Sequence, residues 1–148
     1  MNQKELRSWR KVFESDLGHI AYELKEILEK PALILLDGQM GVGKTTFCKV
    51  FLDESTLSPT YSVLHEAGSS LHADFYRIKN REEILHLELS LYLERKDYFL
   101  IEWGKSFYES LLSEIPDEFC HYLLEIVENE PINGVTTRDF KLFAVSED

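Results

Sequence analysis

A glycine-rich turn between an apolar run and an amphipathic stretch constrains the fold of this chain more than any other feature. Residues 38–46 read GQMGVGKTT, which fits the pattern G-x-x-x-x-G-K-[ST]. The apolar run 32–36 precedes this turn and predicts a strand buried on both faces. Residues 44–52 predict a helix. A strand, turn and helix in this order are typical of α/β proteins that hold phosphate on backbone N–H groups.

Each residue type in this motif has a physical reason. Glycine lets the backbone turn tightly and bring its N–H groups onto phosphate oxygens. The ammonium group of Lys44 can reach the β- and γ-phosphates of a nucleotide, and the Thr45 hydroxyl is placed for a Mg²⁺ ion that bridges them. The loop residues predicted to contact the nucleotide are Gly38, Gly41, Val42, Gly43, Lys44, Thr45 and Thr46.

A nucleotide site also needs a carboxylate that holds Mg²⁺ from the side opposite the loop. Glu102 ends an apolar strand predicted over 98–101 and is the main candidate. The alternative is a charged residue that only ends a strand. Asp74 is a second acidic candidate, which could orient the attacking water or coordinate the metal through water.

Several other positions have either two interpretations, one functional and one structural, or only a structural one. Ser58 and Thr60 flank a proline in the region where many P-loop proteins sense the γ-phosphate, although composition alone predicts only a turn there. Trp103 could pack in the core or form a platform beside the nucleotide. His65 and His72 lack metal-ligand spacing and are interpreted as ordinary polar positions.

The pattern of the whole chain predicts an α/β, P-loop NTPase-like three-layer fold. Its mixed sheet has a parallel P-loop core and C-terminal antiparallel strands. The predicted strands are 6–13, 32–36, 61–65, 71–75, 98–101, 119–128 and 135–144. The predicted helices are 82–93, 106–115, the P-loop helix and a first helix that ends near residue 28 and has Ser15 as its N-cap.

Length and charge narrow the class of protein further. The chain has 148 residues, which suggests one P-loop domain over 1–148. Its formal net charge of −11 disfavours unaided binding of RNA or DNA. We expect no secretory signal and no membrane span, because no apolar run approaches the roughly 20 residues that a span needs. Cys48 and Cys120 belong to no C-x-x-C pair, so the sequence has no zinc signature, and both are interpreted as buried small hydrophobic residues in a reducing cytoplasm.

Four short motifs follow one another in the order of a known family. The P-loop at 38–46 is followed by SPTY at 58–61, HADFYR at 72–77 and IEW at 101–103. This order resembles the TsaE (YjeE) family, whose motifs are G-x-x-G-x-G-K-T-T, S-P-T-F, H-x-D-L-Y-R and I-E-W. Members of that family are small bacterial P-loop ATPases of tRNA threonylcarbamoyladenosine biosynthesis.

The resemblance implies roles for particular residues. ATP and Mg²⁺ would be the ligands, with Thr45 and Glu102 binding the metal. Catalysis would depend on Lys44, Asp74 and Glu102, with Asp74 as the acidic residue of hydrolysis. The other residues that the resemblance places at the nucleotide are Ser58 and Thr60, in a switch-like loop, and Trp103.

The resemblance also implies an auxiliary protein rather than the enzyme that modifies tRNA. It would dock on TsaD-like and TsaB-like proteins in the cytoplasm and reach tRNA only through them, with no membrane or DNA partner. Because none of the six arginines sits in an obvious lid cluster, we expect slow hydrolysis alone and faster hydrolysis in the complex. The alternatives are a small-molecule kinase, which needs an acceptor pocket, and a non-catalytic nucleotide-binding module, which binds ATP without turnover.

Overall fold

A single mixed sheet of seven strands organises the residues described by the computed structural model, which are 1–53 and 63–147. The strand order is β1-β7-β6-β2-β5-β4-β3. Strands β6, β2, β5 and β4 run parallel, whereas β1, β3 and β7 are antiparallel to their neighbours. The strands are β1 (Asn2–Val12), β2 (Ala32–Asp37), β3 (Leu64–Ala67), β4 (Ser70–Asp74), β5 (Tyr98–Glu102), β6 (Cys120–Glu128) and β7 (Arg138–Ser146).

Helices cover both faces of this sheet, which confirms the predicted three layers. Alternate residues of a strand point to opposite faces, so Ile34 joins the core under α1 and α2, whereas Leu33 and Leu35 join the core under α3, α4 and α5. Both faces of β2 are therefore buried, as its continuous apolar run predicts. The helices are α1 (Leu17–Ile27), α2 (Lys44–Phe51), α3 (Arg81–His86), α4 (Leu89–Leu93) and α5 (Tyr108–Leu112).

The N-terminal region differs from the prediction in two ways. Strand β1 begins at Asn2 because it pairs with β7 over most of its length, although its nearly complete exposure leaves no apolar alternation in the sequence. The prediction of Ser15 as an N-cap is wrong, because a 3₁₀ turn over Glu14–Asp16 precedes α1. The carboxylate of Asp16 accepts a hydrogen bond from the backbone N–H of Phe13 at 3.0 Å and closes that turn.

The predicted helix over 82–93 is wrong as a single helix. Glu88 adopts a left-handed backbone conformation with φ of 53°, which separates α3 from α4. The predicted last strand starts later than expected, at Arg138, because the turn at Asn133 is closed by a bridge between Ile132 and Val135. Part of the strand predicted over 61–65 lies outside the described residues, and β3 begins at Leu64.

No helix in the described part of the chain is both long enough and apolar enough to cross a membrane. The helices run from five to 11 residues.

Candidate functional site

The glycine-rich loop leaves the carboxyl end of β2 at the middle of the parallel strands and enters α2. Gly41 and Gly43 have φ angles of 80° and 106°, a region that side chains with a Cβ rarely adopt. A Cβ on Gly38 would lie 2.7 Å from the carbonyl oxygen of Ile126 on the neighbouring strand β6. Glycine is thus required at these positions by the backbone itself, which agrees with the motif.

Lys44 is the first residue of α2, and its side chain folds back over the loop. It is only 5% exposed, and its ammonium group donates a hydrogen bond to the carbonyl oxygen of Gly38 at 2.5 Å. The same group lies 3.3 Å from the ring centroid of Trp103. Burial lowers the pKa of Lys44, although the negative charges of Glu102, Asp37 and Asp74 oppose that shift. The loop therefore carries a buried cation near its centre.

Thr45 and Glu102 meet between α2 and the carboxyl end of β5. The Thr45 hydroxyl donates to Oε1 of Glu102 at 2.7 Å. Glu102 is 3% exposed, and its other oxygen, Oε2, lies 2.7 Å from Nε2 of His72. The structure thus brings together the two residues that the sequence predicts as magnesium ligands.

Asp74 lies beside Glu102 but in a different environment. The two residues are paired in register between the parallel strands β4 and β5. Asp74 is exposed, and its Oδ1 accepts a hydrogen bond from the backbone N–H of Tyr76 at 3.0 Å. The ring of Tyr76 packs against Trp103 with 5.3 Å between centroids.

Trp103 follows Glu102 in a left-handed conformation, with φ of 61°. Such a backbone is uncommon for a bulky residue and costs on the order of 1–3 kcal/mol. It directs the indole over Lys44, and the side chain also packs against the core on the face of the sheet that α3, α4 and α5 cover. The structure thus combines the two interpretations of Trp103, since the side chain packs against the core and also lies beside the loop; its role as a platform for a nucleotide stays a prediction.

Two cavities lined by described residues adjoin the loop. The smaller has a volume of about 330 Å³ and is lined by most of the predicted site residues, including Lys44, Thr45, Asp74 and Glu102. The larger, of about 710 Å³, lies on the other side of the loop against the end of β6 and is lined by both apolar and acidic side chains. Trp103 lines both cavities. The predicted contacts Ser58 and Thr60 lie outside the described residues.

Sequence reasoning assigned no role at this site to His72 or Arg138. His72 is treated as an ordinary polar position by its spacing, yet it is buried against Glu102. The guanidinium of Arg138 lies behind the loop, where its Nε donates to the carbonyl oxygen of Val42 at 2.5 Å, next to Gly43. Strand pairing brings both residues to the loop from distant parts of the sequence, so local spacing contains no trace of either contact.

A strand, glycine loop and helix inside a parallel core, with a strand-end carboxylate on the threonine of the loop, define a P-loop α/β protein. The sequence profile of the family described as "Threonylcarbamoyl adenosine biosynthesis protein TsaE" matches residues 13–131. The chain therefore belongs to the TsaE family.

Relatives named "tRNA threonylcarbamoyladenosine biosynthesis protein TsaE" support this assignment. The protein of Bacillus subtilis is 32% identical over 121 residues, which cover 75% of this chain and 74% of that protein. The protein of Rickettsia conorii is 35% identical over 102 residues, or 62% of this chain. That match spans only 58% of the length of the Rickettsia protein.

A solved structure shares the fold. The crystal structure of YdiB from Bacillus subtilis superposes with a TM-score of 0.59 at 23% sequence identity. The match covers 99% of this chain and 89% of the YdiB chain. The arrangement of strands and helices is thus one already seen by experiment.

Proposed function

We propose that this protein binds and hydrolyses ATP as an accessory subunit in the biosynthesis of tRNA threonylcarbamoyladenosine. Membership of the TsaE family supports a role in this biosynthetic process. The hydrogen bond from Thr45 to the buried carboxylate of Glu102, beside the loop cation Lys44, supports the ATPase chemistry. A threonine hydroxyl held on a carboxylate has no evident purpose in a glycine turn that is only structural.

The loop and Lys44 would bind the polyphosphate. Backbone N–H groups of the loop and the N-terminus of α2 offer hydrogen bonds and positive potential to anionic oxygens. Lys44 donates to the loop carbonyl of Gly38 and would exchange that partner for a phosphate oxygen when the nucleotide binds. Phosphate charge would also reverse the effect of burial and raise the pKa of Lys44, because an opposite charge favours the protonated amine.

The chemistry of Thr45 and Glu102 fits Mg²⁺. Their oxygens lie 2.7 Å apart, and hard oxygen ligands that leave room for waters and phosphate suit this ion. Mg²⁺ held there would neutralise charge on the phosphate oxygens. The hydrogen bond between the two side chains keeps both oxygens at the phosphate end of the loop before any ligand binds.

Asp74 would act on the attacking water. Its carboxylate is exposed and borders the same small cavity as Lys44 and Thr45. An exposed carboxylate can accept a hydrogen bond from water and hold the proton that leaves it. Trp103 and Tyr76 line the same cavity and would limit access of bulk water.

Two features support an accessory role: the small cavity is lined by no arginine among the described residues, and the chain is strongly negative. Residues that line the small cavity in the described part of the chain include Lys44 but no arginine. An absent arginine finger lowers phosphoryl-transfer rates by about 10³–10⁵-fold. With a net charge of −11, the chain is poorly suited to hold tRNA itself. TsaD-like and TsaB-like partners, in the cytoplasm, would supply tRNA binding and speed hydrolysis.

The test is ATP hydrolysis by the protein alone and with TsaD and TsaB from the same organism. We expect slow, Mg²⁺-dependent release of phosphate alone and a rate at least about 10-fold higher in the complex. A Lys44→Ala variant controls for contaminating ATPases, because it lacks the loop cation. Equal rates with and without the partners would contradict the accessory role, and no hydrolysis in either condition would contradict the ATPase.

A further inference from the structure

A buried histidine supports the carboxylate that we propose as a magnesium ligand. His72 is 7% exposed, and its Nε2 lies 2.7 Å from Oε2 of Glu102. The other carboxylate oxygen, Oε1, accepts the hydrogen bond of Thr45 at 2.7 Å. One oxygen of Glu102 thus faces the loop, while the other is held from behind by the imidazole.

The register of the parallel strands explains this arrangement. His72 is paired with Leu100, and Asp74 with Glu102, so the histidine lies one step behind the carboxylate on the same face of the sheet. That face packs against α2, where Cys48 is fully buried. The ligand-type atoms of Cys48, His72 and Glu102 all lie within 4.8 Å of one another.

Burial makes the imidazole contact strong. A carboxylate removed from water is stabilised only if its oxygens accept hydrogen bonds, and bonds to an ionised group are about twice as strong as neutral ones. Without the donor at Nε2, Oε2 of Glu102 would face the thiol of Cys48 and the apolar core. The carboxylate would then be free to turn away from Thr45, and a carboxylate without a fixed direction is a poorer ligand for a cation.

We propose that His72 is a positioning residue that keeps Oε1 of Glu102 directed at Thr45 and at the divalent cation. This inference depends on the proposed function, since it assumes that a nucleotide binds with Mg²⁺ at this carboxylate. It assigns His72 no contact with substrate. Groups that support metal ligands in this way change metal affinity by about 10–100-fold when they are removed.

The experiment compares how strongly Mg²⁺ promotes nucleotide binding in matched variants. The affinity for a fluorescent, non-hydrolysable ATP analogue is measured in EDTA and across a Mg²⁺ series. His72→Leu removes the donor at similar volume, whereas His72→Gln keeps an N–H near the position of Nε2. His121→Leu is the control. His121 is also a partly buried histidine with a side-chain hydrogen bond, at 2.7 Å to the hydroxyl of Tyr108, but it does not contact Glu102.

We expect His72→Leu to need about 10–100-fold more Mg²⁺ for the same gain in affinity, with binding in EDTA within about twofold of wild type. His72→Gln should recover most of the Mg²⁺ response, and His121→Leu should leave it unchanged. If His72→Leu does not fold, His72→Asn replaces it, because its amide is one methylene shorter than glutamine and does not reach Glu102.

Three results would overturn this inference: an unchanged Mg²⁺ response in the donor-free variant, an equal loss in EDTA, or no recovery by His72→Gln. Each leaves the proposed function intact if the wild-type protein binds the analogue with Mg²⁺. A wild-type protein that binds no nucleotide, or binds it without any response to Mg²⁺, contradicts the proposed function itself.

Discussion

The carboxyl ends of β4 and β5 carry acidic residues in the same register but in opposite environments. Glu102 at the end of β5 is 3% exposed and accepts from Thr45, with His72 against its second oxygen. Asp74 at the end of β4 is exposed and accepts one backbone hydrogen bond, from Tyr76. Pairing across a sheet therefore does not make two carboxylates equivalent, because what covers each strand end decides its chemistry.

The difference comes from the elements that follow each strand. Helix α2 lies over the end of β5 and places Thr45 on Glu102. After β4 the chain turns at Tyr76, and among the described residues no helix places a side chain on Asp74 as α2 does on Glu102. A fixed, buried carboxylate suits a metal ligand, which must keep one geometry, whereas an exposed one suits contact with a water molecule.

The largest effect should follow from Glu102→Gln. Glutamine keeps the size of the side chain but removes the negative charge that would face Mg²⁺, and its NH₂ group replaces one of the two accepting oxygens with a donor. We expect Mg²⁺-dependent hydrolysis to fall by roughly 10³-fold, with the Mg²⁺ requirement raised. Hydrolysis across a Mg²⁺ series measures both. If the variant kept the wild-type Mg²⁺ dependence, Glu102 would not be the metal ligand and the contrast with Asp74 would lose its meaning.

The effect of Asp74→Asn on hydrolysis should be smaller than that of Glu102→Gln and different in kind. The amide removes a proton acceptor for water but leaves the Thr45–Glu102 pair untouched, so we expect turnover to fall by roughly 10²-fold at an unchanged Mg²⁺ requirement. Nucleotide affinity, measured by calorimetry, should stay near the wild-type value. A raised Mg²⁺ requirement in this variant would instead identify Asp74 as a metal ligand, and Asp74 and Glu102 would then have the same role.

The smallest expected effect concerns His121, which lies away from the site. It tests the premise that burial disfavours the charged form of a side chain. Burial lowers the pKa of His121 from its ordinary value of 6.5. As the pH falls through 6.5, the unfolded chain takes up a proton that the folded protein resists, so this residue makes folding less stable in acid. Urea unfolding at pH 7.5 and pH 5.5 should show a smaller acid loss of unfolding free energy for His121→Gln than for wild type. Equal losses would contradict the premise.

Local motifs in the sequence predict one half of the site well. Residues 38–46 are contiguous, and the φ angles of Gly41 and Gly43 explain why the pattern can be recognised from residue types alone. The apolar run before Glu102 also marks its place at a strand end, since β5 is buried along its length. The fold class follows from the same alternation of apolar strands and amphipathic helices.

The other half depends on long-range pairing, which spacing does not encode. His72 meets Glu102 through the β4–β5 register, and Arg138 meets the loop through the position of β7 in the sheet. The break between α3 and α4 at Glu88 also escaped prediction, because the apolar residues around it keep a helical period. Ser58 and Thr60 stay predictions, since they lie outside the described residues.

The central claim is that the glycine loop and Lys44 hold the polyphosphate, and calorimetric titration with Mg²⁺ and a non-hydrolysable ATP analogue tests it most directly. Wild type should bind one analogue per chain, and Lys44→Ala should bind it at least about 100-fold more weakly, because a charge-assisted contact to phosphate is lost. Lys96→Ala, which removes a lysine paired with Glu66 at the far side of the sheet, should bind like wild type. Wild-type affinity in Lys44→Ala would contradict the account.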